Sequence, residues 1–348
     1  MERQKMKKKG FTLVELLVVI AIIAMLLAIL MPALGKVRQL AQRIMCSTNL
    51  SGVGKAMLTY SNEDKYESFP IAGSPGAYWD YGTTTGCAGV CSFDWWDPRA
   101  LAIIDTGTDK KVTLSACLYL TVKYADVSPG QFICPGSDLK KFELGKYTLP
   151  TTPTIGLPDV WDMGSKAKEL VATPGIRGKG HNCYSYQLPL KTKDQTTIGV
   201  FPISPTSNPS KAVLADRSPY WQAPMGTAAL YVWDSTNTKI NANVDLIAAG
   251  NATYHQKDGQ NILFVDQHAK FERSANCGVE SDNIYTVWGQ PTLSTSDTDQ
   301  CLRQCGLGQT AGTTTAYKPS ASEIQGATWC PQNNDDNYLV SDVDQDAP

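Results

Sequence analysis

One carboxylate, Glu15, stands inside the apolar run "GFTLVELLVVIAIIAMLLAILMP". A charge at the centre of a membrane helix costs about 2.5–3.5 kcal/mol on insertion scales, and less near an end. A residue that costly invites a cationic partner. Cutting the chain after Gly10 would give Phe11 a new α-amino group. On a helix that amine and Glu15 are neighbours at i and i+4. Between stacked subunits, the amine of one chain could instead meet the carboxylate of the next. A charge simply tolerated at the membrane interface is the plainer alternative.

Other residues with chemical potential lie further along. The stretch "HQKDGQNILFVDQHAKF" holds His255, Asp266 and His268, and two of the three histidines of the chain. These are metal-ligating types. Asp258-Gly259 is a turn signal, and a hairpin here could gather the three. Polar residues supporting a tight hairpin are the favoured reading. At the end of the chain Asp342, Asp344 and Asp346 alternate, an oxygen-rich spacing of the kind that holds Ca²⁺. The Gly and Glu of an EF-hand loop are missing, which favours a solvated acidic tail. No other cofactor is expected.

Ten cysteines is a high count. Cys87/Cys91 and Cys301/Cys305 form two CxxxC pairs, unlike the CxxC pairs of zinc sites or redox motifs. In an exported chain they read as disulfide candidates, with connectivity that one sequence leaves open. Cys46, on the N-terminal helix, is placed to tie that helix to the rest. No Gly-x-Ser-x-Gly elbow, phosphate loop or His-Glu-x-x-His occurs, so no enzyme is expected. His181 is isolated and reads as a local hydrogen-bonding residue. Tyr78, Trp79, Tyr81, Trp95, Trp96, Tyr220 and Trp221 could stack on sugar rings, although core packing accounts for such rings more often.

The elements that must position these residues follow from pattern. The apolar run 11–31 is long enough to cross roughly 30 Å of hydrocarbon. Arg3, Lys5, Lys7, Lys8 and Lys9 precede it, which keeps the N-terminus cytoplasmic and sends the rest across. The run is too long for the apolar region of a cleaved secretory signal. Beyond Pro32, where a kink is expected, apolar residues recur with helical period at Leu34, Val37, Leu40, Ile44, Val53 and Met57. The helix is therefore expected over 11–62. From 63 to 273, short β-type runs such as "QFICP", "YSYQLPL" and "KAVLAD" alternate with Pro, Gly and Asn. Charged residues are only 18% and hydrophobic residues 42%, which suits a loop-rich β head. A net charge of −2 gives no field that attracts nucleic acid. The fold class expected is α+β: one long N-terminal helix on an antiparallel, disulfide-stapled sheet. Residues 274–348 turn polar and Cys-punctuated and read as an extension.

The string "KGFTLVELLVVIAIIAMLLAILMPAL" resembles the N-terminal signature of type IV pilins and type II secretion pseudopilins. Gly10, Phe11 and Glu15 match that motif at its spacing, and Pro32 resembles the proline that commonly follows. The resemblance implies a leader 1–10 removed by a prepilin peptidase and N-methylation of Phe11. It also implies that Glu15 registers subunits during fibre assembly. The hairpin at 255–271 resembles a His…Asp-Gly hairpin of pilin-like proteins from Planctomycetes-type bacteria, with Gln267 where those have Gly. The implied function is a structural subunit of a type IV pilus-like or secretion filament. Its partners would be copies of itself, the prepilin peptidase, an inner-membrane assembly platform and, before assembly, membrane lipid. The head would lie in the periplasm, and the assembled filament there or outside the cell. The alternative is an anchored carbohydrate- or partner-binding module at the cell surface. A third class is an anchored enzyme using the same leader, but no carboxylate pair marks one.

Overall fold

The computed structural model describes residues 12–72, 78–79, 111–112, 114–143, 157, 163, 181–189, 191–192, 201–218, 250–285 and 334–340. Helix α1 spans Leu13–Glu63, 51 residues, and so is about 76 Å long. It passes without interruption through Pro32, although proline lacks the N–H that would bond one turn back. The chain divides into two units, Met1–Gln42 and Arg43–Pro348. The first is an apolar helix with its side chains exposed: Leu13, Met25 and Met31 are among them. The second is the head, and α1 enters its core from Cys46 onward, burying Cys46, Leu50, Val53, Gly54, Ala56 and Met57.

The head is built on a five-stranded antiparallel sheet. Its strands are β3 (Tyr184–Gln187), β5 (Ala212–Asp216), β6 (Gln260–Phe264), β7 (Ala269–Glu272) and β8 (Leu339–Val340). The order across the sheet is β7-β6-β5-β3-β8. Strands β5 and β6 are buried at every position. Their sequences, "AVLAD" and "QNILF", accordingly do not alternate apolar with polar as a one-sided sheet would. The side chain of Leu263 on β6 lies against α1 at Gly54, where an added Cβ would come within 2.9 Å of both its δ carbons. Glycine there lets the helix approach the sheet closely.

Several elements differ from the expectations. A second helix, α2 (Leu114–Tyr124), packs into the core with Leu114, Cys117, Leu118, Tyr119, Leu120 and Val122 buried. Its sequence, "LSACLYLTVKY", is apolar nearly all round, so it shows no amphipathic period to read. "QFICP", expected as a strand, forms none: Gln131 and Phe132 end a 3₁₀ turn over Pro129–Phe132, with Ser128 Oγ accepting from the Gly130 N–H, and Ile133 caps it. Three two-residue strands, β1 (Tyr78–Trp79), β2 (Lys111–Val112) and β4 (Lys191–Thr192), pair in parallel. The segment after Arg273 is not only a polar extension. It buries Ile284, Tyr285 and Tyr338 and supplies β8, paired with β3. Asn337 fixes it: its N–H donates to Asp282 Oδ2 at 2.7 Å, and its Oδ1 accepts from the Ala212 N–H at 2.7 Å. The expected disulfide staples do not appear among the described cysteines, which are Cys46, Cys117, Cys134, Cys183 and Cys277, all thiols.

Candidate functional site

Two groups of residues carry chemistry. The first begins α1. Thr12 donates from its backbone N–H and from its hydroxyl to Glu15 Oε2, at 2.9 and 2.8 Å. The Glu15 N–H donates back to Thr12 Oγ1 at 3.3 Å. This reciprocal pattern is a capping box: it satisfies backbone donors at the helix start, where a negative charge also meets the positive end of the helix dipole. Glu15 therefore has a partner within its own chain. Gly10 and Phe11 lie outside the described residues.

The second group sits in the head. Four elements each deliver one side chain: Cys46 from α1, Cys134 from just beyond the Pro129–Phe132 turn, Asp216 from the end of β5, and His255 from a 3₁₀ turn at Thr253–His255. Their ligating atoms all lie within 4.8 Å of one another, and all four residues are buried. Cys46 Sγ is 2.8 Å from Cys134 Sγ. His255 Nε2 is 3.7 Å from Cys134 Sγ and 3.1 Å from Asp216 Oδ2. Asp216 Oδ2 also accepts from the Asn261 backbone N–H at 2.6 Å and from Asn261 Nδ2 at 3.0 Å. Its Oδ1 makes no hydrogen bond among the described residues.

Local sequence explains the convergence. "CPG" turns the chain so that the Gly136 N–H points at Cys134 Sγ, 3.3 Å away. Gly136 also lets the backbone of Tyr254 come close: a Cβ would stand 2.5 Å from the Tyr254 carbonyl oxygen. Gln256 and Lys257 then take left-handed conformations, φ 60° and 61°, turning the chain from His255 into β6. An edge-on ring contact with Phe271 flanks His255, and the Arg43 guanidinium lies 4.5 Å over the same Phe271 ring. Arg43 pairs in turn with Asp258.

The charges in this cluster are shaped by its members. Burial disfavours protonated His255, but its bonds to Asp216 and Cys134 outweigh that and push it up to about 10. A hydrogen bond from the Cys46 thiol, helped by His255, holds Cys134 below the ordinary thiol range despite burial. Cys46, as donor to Cys134 and buried, is pushed up. Chemically the set offers an activated thiolate beside a second thiol. Two sulfurs, one nitrogen and one carboxylate are also the donor types of thiophilic divalent cations, although the sulfurs stand only 2.8 Å apart.

The expected trio His255, Asp266 and His268 does not assemble. His255 precedes β6, whereas Asp266 and His268 occupy the turn between β6 and β7. There they pair with each other, half-exposed, and the His268 ring stacks on Phe264 at 4.4 Å. Gln267 takes φ 71°, a conformation glycine adopts more readily. His181 bonds locally, its Nδ1–H donating to the Lys140 carbonyl at 2.7 Å. Cys87, Cys91, Cys301, Cys305, Asp342, Asp344 and Asp346 lie outside the described residues. Sequence reading missed Cys134 and Asp216 as site residues. The signal was the polar residue closing each of the apolar strings "QFIC" and "AVLAD".

A family profile, the prokaryotic N-terminal methylation motif, matches residues 5–31. With the long apolar helix that follows, the chain fits a type IV pilin-like protein of α+β fold. The motif supports a pilin- or pseudopilin-like precursor, and helix α1 is consistent with membrane anchoring. Comparisons with curated proteins and with solved structures give no match.

Proposed function

We propose that the chain is a structural filament subunit, a pilin or pseudopilin, cut after Gly10, N-methylated on Phe11 and assembled through α1. One observation carries this reading. The methylation motif at residues 5–31 runs straight into a helix whose apolar side chains are exposed from Leu13 to Leu34. So much apolar surface needs lipid before assembly and neighbouring helices after it. The head then stands in the periplasm or on the fibre surface, and the leader 1–10 remains on the cytoplasmic side. Mass spectrometry of the mature chain tests this. The expected N-terminus is N-methylated Phe11, and Met1 retained in assembled filaments would overturn the reading.

A further inference from the structure

We propose that Cys46 and Cys134 are joined by a disulfide in the exported protein, a covalent staple between helix α1 and the head. The two sulfurs belong to residues 88 apart in sequence and lie 2.8 Å apart. A disulfide needs about 2.05 Å, so a side-chain shift of under about 1 Å closes the bond. The same sulfurs stand too close for a shared metal. Two thiolates at about 2.3 Å from one tetrahedral ion would be about 3.8 Å apart. His255 and Asp216 need no ion either, since each is already the other's partner at 3.1 Å.

The surroundings favour the reaction at Cys134. The Gly136 N–H and the His255 ring nitrogen both face its sulfur, at 3.3 and 3.7 Å, and so favour thiolate there. The Cys134 thiolate attacks one sulfur of a disulfide oxidant, an exported thiol–disulfide oxidoreductase or a small-molecule disulfide. That forms a mixed disulfide and releases one oxidant thiol(ate). The Cys46 thiolate then attacks the Cys134 sulfur, releasing the second. The pair loses two electrons and two protons, and the oxidant disulfide gains both. Cys46 and Cys134 are each 0% exposed, so the exchange must occur while the head is folding. Completion of the core then shields the bond from reductants.

The staple rests on the reading of an exported head, and the measurement separates the two. Full-length protein is extracted in detergent with N-ethylmaleimide present from lysis and digested without reductant. Metal content is measured on the same sample. The expected result is a Cys46–Cys134 linked peptide, without stoichiometric zinc. Methylated Phe11 with both cysteines alkylated would overturn the staple and leave the filament reading standing. One bound zinc per chain would assign the four residues to a metal site instead. A link from either cysteine to the neighbouring buried Cys183 would also overturn the assignment. As a second readout, reductant or Cys46→Ala should lower the melting temperature of the head by roughly 5–15 °C. Reductant should shift the variant less than the wild type, any remainder coming from other disulfides such as the candidates Cys87, Cys91, Cys301 and Cys305. An equal shift in wild type and variant would refute the staple.

Discussion

Glu15 shows how one residue can serve two states. In the single chain it closes a capping box with Thr12, so its presence in the apolar run has a local cause before any subunit arrives. In a filament it could exchange that bond for the Phe11 amine of a neighbour. Glu15→Gln keeps the shape and removes the charge. Insertion and processing should survive, because the junction after Gly10 is unchanged. Assembly should fall sharply, since leaving one partner of a buried charge pair alone costs about 3–5 kcal/mol. Fibres sheared from cells expressing only this variant, weighed against mature-chain yield, measure it. Normal fibre yield would leave the capping box as the whole role of the charge.

At the level of elements, the contacts that place His255 beside Cys134 are backbone contacts. Gly136→Ala would drive a Cβ against the Tyr254 carbonyl, 2.5 Å away. It should cost about 1–3 kcal/mol and loosen the Cys134–His255 approach, seen as a lower denaturation midpoint. Truncating Leu263, which is fully buried on β6 beside α1, should cost more, about 2–5 kcal/mol for Leu263→Ala. Lys211, just before β5, is held down at about 8 by burial, with Asp336 and Asp335 opposing the shift. Its Nζ donates to the Asn334 carbonyl. Between pH 8 and the ordinary lysine range the unfolded chain binds a proton that the folded chain does not. This group therefore makes stability rise with pH across that window. Buried thiols such as Cys277, pushed up by burial, act in the opposite sense. Urea midpoints at pH 7.5 and 9, compared between wild type and Lys211→Met, isolate the lysine. The wild type should gain relative to the variant by about 1–2 kcal/mol, and an unchanged difference would show that Lys211 is not depressed.

At the scale of the whole molecule, the division at Gln42/Arg43 separates an apolar rod from a packed head. A chain starting at Arg43, directed to an oxidising compartment, should fold as a soluble protein. The full chain should sediment with membranes and need detergent. Fractionation followed by thermal melting of both forms checks this. A head that aggregates without residues 1–42 would show that its stability depends on the rod.

The rod was legible from sequence because its signal is local: a hydrocarbon-length apolar run and a basic flank; the capping box of Thr12 and Glu15 emerged only in the structure. The β6–β7 hairpin was legible for the same reason, since its strand-forming residues and the turn between them, "NILFVDQHAKF", are contiguous in the chain. The head's cluster was not. Cys46, Cys134, Asp216 and His255 are brought together only by four elements distant in sequence, and no periodicity or motif records which face of β5 or which turn will meet α1. Helix α2 and strand β8 were hidden too, because full burial removes the polar/apolar alternation that sequence reading depends on. Local physics set the anchor; long-range packing alone decided which buried side chains could react with one another.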